Sequence, residues 1–172
     1  MLTSFQKIAS NFSCLLLLLY FNTSFAQTVN LKDFEKMPSV KSAKEYLAKK
    51  DFVVKQDSSS GKDIIKLKLV NKASHEIVHL SLIKGSEGDK MFELDYFTES
   101  QEEYAKIVHT IVKSGYNPKN DDRHYEKRPG SYEVHNLVLK GPVTVNGWDY
   151  YCIKYSYYAG KELAVPAPPA KE

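Results

Sequence analysis

The sequence predicts an α+β fold, a curved antiparallel sheet with two helices packed on one face. Three observations predict it. Only two segments carry a helical period, whereas residues 51–97 and 117–158 break into short runs that alternate apolar and polar residues between turn signals. The two halves, 39–97 and 98–158, also repeat one order of elements, as a duplicated α-β-β-β unit would.

The chain opens with MLTSFQKIASNFSCLLLLLYFNTSFAQ, in which Lys7 precedes an apolar run from Cys14 to Phe21 and the small residues Ser24 and Ala26 follow. That is the pattern of a secretory signal peptide over residues 1–26. The run is shorter than the roughly 20 residues that span a bilayer, so the expectation is an exported protein, periplasmic or extracellular, with no transmembrane segment. Residues 27–38 read as a lead-in segment. Pro38, Ser39 and the Ser42-Ala43-Lys44-Glu45 capping box then start a first helix, with Val40, Ala43 and Leu47 on one face.

Alternation takes over after Lys50. Phe52 and Val54 lead to the SSSG turn at 58–61, and Ile65, Leu67 and Leu69 are separated by Lys66 and Lys68, a half-buried hairpin. NKAS supplies the next turn, and the meander continues through residues 76–83 and GSEGD into KMFELDYF. A second helix is expected from a Thr98/Gln101 capping box, with Tyr104, Ile107, Val108, Ile111 and Val112 in one stripe and Gly115 as the stop. YNPKNDDR then reads as a turn-rich crossing, followed by HYEKR, a Pro129-Gly130 turn, SYEVHNLVLK, the loop GPVTVNG and the aromatic strand WDYYCIKYSYY. Ser74 to His79, ending at Lys84-Gly85, parallels Ser131 to His135, ending at Lys140-Gly141, with one residue gapped. Residues 39–158 are therefore one domain of two similar halves, each a helix followed by three or four strands. The Pro/Ala-rich residues 159–172 read as a disordered tail. In layout alone this resembles small exported inhibitors and sensor modules built of repeated helix-and-sheet units.

Composition excludes some functions. Without residues 1–26 the chain keeps 146 of its 172 residues, enough for one core, and 23 of its 24 Lys and Arg face all 21 Asp and Glu. Near-neutrality without a basic block argues against a nucleic-acid partner. Cys152 is the one cysteine left, so no internal disulfide forms; it reads as a buried strand residue, the alternative being a bridge between two chains. No phosphate loop, nucleophile elbow or dinucleotide fingerprint occurs, and His109 and His124 have no recognisable partners.

One catalytic lead exists. His75-Glu76-Ile77-Val78-His79 resembles the H-E-x-x-H metallopeptidases over five residues, and implies zinc held by His75, His79 and a third ligand such as Glu99, with Glu76 as general base. The pattern needs a helix. As a strand, the segment puts Val78, Leu80 and Leu82 on one face and Ile77, His79 and Ser81 on the other, with residues four apart separated by about 13 Å, too far for zinc bonds of about 2 Å. β-Branched content and the half-repeat favour the strand. Zinc then has no site, and the expectation is no cofactor.

The remaining candidate is a binding surface. Strand 148–158 carries Trp148, Tyr150, Cys152 and Lys154 on one side, and Tyr151, Ile153, Tyr155 and Tyr157 on the other. One side packs under the helices and the other is free. Rigid tyrosine rings serve protein interfaces and stack on sugars, so Trp148, Tyr150, Tyr151, Tyr155 and Tyr157 are the candidate binding residues. The expected function is an exported, non-enzymatic protein that uses the open sheet face to bind a protein or glycan. The alternatives are the zinc hydrolase and a structural cell-envelope protein.

Overall fold

The computed structural model describes residues 29–60, 64–84, 90–119 and 121–160. The stretch read as a signal peptide, the Pro/Ala-rich residues beyond 160, Gly61 of SSSG and the residues GSEGD lie outside the described residues. Eleven elements and one short 3-10 turn follow one another: α1 (Leu31–Glu35), α2 (Val40–Ala48), β1 (Phe52–Asp57), β2 (Ile64–Asn71), β3 (Ile77–Lys84), β4 (Lys90–Thr98), α3 (Gln101–Thr110), the turn Val112–Ser114, β5 (Asn117–Pro118), β6 (His124–Gly130), β7 (Glu133–Val145) and β8 (Trp148–Ala159). The strands make one open sheet, all antiparallel, in the order β1-β2-β3-β4-β8-β7-β6-β5. Each consecutive run of four strands is a meander, and the last strands of the two runs, β4 and β8, pair through nine residues from Lys90↔Ala159 to Thr98↔Tyr151.

Period-2 alternation sorts the sheet into two sides. Leu67, Leu69, Val78, Leu80, Phe92, Leu94, Tyr96, Leu137, Ile153 and Tyr155 belong to one buried cluster, which also takes in Leu31, Phe34, Met37, Ala43, Leu47, Ile107 and Ile111. The other side buries a small second cluster of Ile77, Phe97, Tyr150 and Cys152, with Val70, Val143 and Val145 against it, and Val134 apart from it. No helix among the described residues is long and apolar enough to cross a membrane.

Several boundaries differ from the sequence reading, each for a local reason. The lead-in is not featureless: Asn30 and Asp33 cap α1 reciprocally, and Phe34 and Met37 are fully buried. The first helix is capped by Ser39 with Ser42, not by Ser42 with Glu45, because Ser39 is extended and its hydroxyl reaches the Ser42 amide. At α3 the cap is Ser100, whose side chain accepts from the Glu103 amide, while Thr98 still belongs to β4. Val112 is 64% exposed. The chain there tightens to three residues per turn, about 120° per residue, and carries Val112 off the stripe that Ile107 and Ile111 keep.

The GPVTV segment expected as a loop is the end of β7. A register shift between Lys140 and Val143 absorbs Gly141 and Pro142, and the turn falls on Asn146-Gly147, both at positive φ (53° and 83°). That pair suits a two-residue hairpin, and it was readable in the sequence. The half-repeat of histidines does not survive as an equivalence. His79 lies on the side of the small cluster, in contact with Phe97, whereas His135 lies on the side of the main core, bonded to Tyr155. One residue of slip exchanges the faces of a strand.

Candidate functional site

The HEIVH segment is not helical. His75 sits in a turn at φ 58° and is exposed, and β3 begins at Ile77. Glu76 is buried at 3% exposure, where it accepts hydrogen bonds from the Tyr96 hydroxyl and, at 2.9 Å, from Ser74 Oγ. It therefore anchors the turn before β3 to β4. Glu99 lies past the end of β4, beside Tyr150, whose phenol is raised by burial first and by Glu99 second. The one-turn spacing that zinc hydrolases need is absent, and no group of three His, Cys, Asp or Glu residues is placed to hold a metal among the described residues.

The aromatic strand divides as alternation demands, and this corrects the candidate list. Tyr155 is fully buried, stacked on Phe34 at 5.8 Å and hydrogen-bonded to His135 at 2.8 Å. Tyr151 packs on Tyr104 at 5.1 Å, and Tyr157 on His135 at 5.1 Å. These three point to the core side of β8. Tyr150 points to the other side but is only 6% exposed, covered within the small cluster. Trp148 alone of the five is widely exposed, at 63%, beside the Asn146-Gly147 turn. Cys152 is 1% exposed, and burial pushes its thiol up to about 12, which favours the protonated thiol of a buried strand residue.

What the open side presents instead is a set of cross-strand rows. Gln56, Lys68, His79, Asp95, Lys154 and Val138 are successive neighbours across β1, β2, β3, β4, β8 and β7. Lys66, Ser81, Glu93, Ser156, Asn136 and Glu126 form the next row, from β2 to β6. Both rows are short-chained or charged in the middle of a wide sheet. Lys154 Nζ pairs with Glu93 at 2.7 Å and Lys140 Nζ approaches Asp95 at 3.9 Å, so the acids of β4 are compensated from β8 and β7. His79 is half-buried, its ring 5.0 Å from Phe97. Burial holds its imidazole below the ordinary value, Lys68 lowers it further and Asp95 opposes them.

The sequence set Lys66 and Lys68, and His79 and Ser81, opposite the apolar residues of their own strands. Their continuation into Lys154, Ser156 and Asn136 depends on β4 meeting β8, which no local pattern announces. Compared with family models, with curated proteins and with solved structures, the chain matches none.

Proposed function

We propose that this is an exported binding protein whose open sheet face receives a protein partner. The observation that carries the reading is the pair of rows just described, a polar and partly charged surface running across β2, β3, β4 and β8 in the middle of an eight-stranded sheet. In this reading the helices cover one face only: Leu31, Phe34, Leu47 and Ile107 are buried together with the core side of the strands, and no helix residue enters the small cluster on the other side. The two halves are a duplicated unit, a helical segment followed by a four-strand meander, joined edge to edge at β4 and β8 so that one continuous face results. The signal-peptide pattern of residues 1–26 supports export.

A protein suits the face better than a glycan. Sugar stacking needs exposed rings, and on the open side of β8 Tyr150 is covered, Tyr158 is part-buried and only Trp148, at the rim, is widely exposed. Hydroxyl, amide and paired charged groups across several strands match the polar character of a protein–protein interface. The test is to expose immobilised full-length mature chain to an extract of its native surroundings and identify what is retained, with a Ser156→Arg/Asn136→Arg double variant as control. Two bulky cations in the centre of the face, with the far-UV circular dichroism unchanged, should abolish retention of a specific protein. An identical set of retained proteins would remove the face from consideration.

A further inference from the structure

The corner of the open face nearest β1 is electrostatically unlike the rest. Gln56, Lys68 and His79 are neighbours in one row, Lys66 and Ser81 in the next, and with Ser58 they line a shallow cavity of about 220 Å³. Lys66 and Lys68 have no ion pair among the described residues, in contrast to Lys154 and Lys140 farther across the sheet. Asp57, the acid closest in β1, pairs its backbone with Leu67 and so belongs to the other side. Among the described residues the first acid met on this side is Asp95, beyond His79, and it already faces Lys140. Around the two ammonium groups stand Gln56, whose amide donates to Ser58 Oγ at 3.0 Å, and the Ser58 and Ser81 hydroxyls, which rotate to donate.

We propose that this corner seats an acidic side chain, aspartate or glutamate, of the partner protein. The inference rests on the open-face reading and names the chemistry the partner brings to it. Two cations with no ion pair among the described residues, flanked by neutral donors, are what a carboxylate requires, since charge-assisted bonds from lysine supply the attraction and the hydroxyls and amide satisfy the remaining lone pairs. A long polyanion is the wrong occupant. Its successive phosphates would run onto Glu93 and Asp95, one strand beyond His79 and Ser81 on the same face. A single carboxylate stops short of them.

His79 provides the readout, because a carboxylate on its Lys68 side counters the charge that now opposes its protonation. Lys68 from β2 and Asp95 from β4 are the charged groups that act on it, and the Phe97 ring packs against it. The experiment titrates the full-length mature chain with acetyl-Gly-Glu-Gly amide at low ionic strength, following the His79 imidazole proton by NMR, with inorganic phosphate in a parallel arm. The peptide should shift the His79 resonance saturably and raise its titration midpoint. It should bind at least tenfold more weakly to a Lys66→Gln/Lys68→Gln variant, and phosphate should bind at least tenfold more weakly than the peptide. Absence of a saturable shift, an unchanged affinity in the double variant, or phosphate binding as tight as peptide binding would each overturn the seat. Failure here alongside loss of the partner in Ser156→Arg/Asn136→Arg overturns the seat and leaves the open face standing; failure of both removes both.

Discussion

Histidine 135 shows what a single side chain carries into the core of this protein. It is 7% exposed, between the rings of Tyr155 and Tyr157, with its Nδ1 in a hydrogen bond to the Tyr155 hydroxyl. Burial lowers its proton affinity; Glu35 and Glu133 work against that and Lys127 adds to it. The folded chain therefore binds fewer protons at this position than the unfolded chain, whose histidine titrates near about 6.5. Stability is fully present above that pH and is lost as pH falls below it toward the folded value. His79, lowered by burial and by Lys68, acts in the same direction. The expected outcome is a urea midpoint lower at pH 5.5 than at pH 7.5, with the His135 NMR titration centred below 6.5; a flat midpoint with His135 titrating at its ordinary value would contradict the assignment. The sequence showed a histidine in a strand, but not which side it faced, since Val134 and His135 are adjacent and both are buried.

At the scale of elements, capping and turn chemistry decide where helices and strands stop. Two serines three residues apart, Ser39 and Ser42, satisfy each other's backbone amides at the start of α2. Glu45, the acid the sequence suggested for that role, reaches only Lys41 on the surface, at 4.0 Å. Ser39→Ala should cost about 1 kcal/mol, and Glu45→Ala, at an exposed ion pair, should stay within about 0.5 kcal/mol. Urea denaturation of both variants distinguishes the caps, and a larger loss for Glu45→Ala would restore the original assignment. The helix stripes and most strands were legible because their periods are local. The end of β7 was not. Gly141 and Pro142 read as loop residues, yet a register shift in the ladder accommodates both, and Asn146-Gly147 takes the turn.

At the scale of the molecule, the β4–β8 pairing turns two meanders into one sheet. Leu94 sits at that junction with no exposure, opposite Leu80 on one side and Tyr155 on the other. Leu94→Ala should cost about 2–5 kcal/mol. Because the residue belongs to a core shared by both halves, amides of β2 and β7 should lose hydrogen-exchange protection together. Loss confined to β1–β4 would show that the halves unfold separately. The same junction makes the proposed binding face, by bringing Lys154 and Ser156 beside Asp95 and Glu93.

The sequence by itself determined the antiparallel, sheet-dominated character of the fold, the helical stretches at 40–48 and 101–110 and the extended state of residues 77–84, because helical and strand periods are properties of neighbours along the chain. Its β-branched content also favoured a strand over a zinc-binding helix for the HEIVH segment, whose last three residues open β3. Only the tertiary structure decided which side of each strand is covered. In β8 both sides are rich in aromatic rings, so alternation separates Tyr150 from Tyr151 without saying which meets the core. That choice follows from strand order, set when the main cluster closes around Phe34, Leu94 and Tyr155. It buries Tyr155, places Tyr151 and Tyr157 against the core side, and leaves Lys66, Lys68, His79 and Lys154 on the open side.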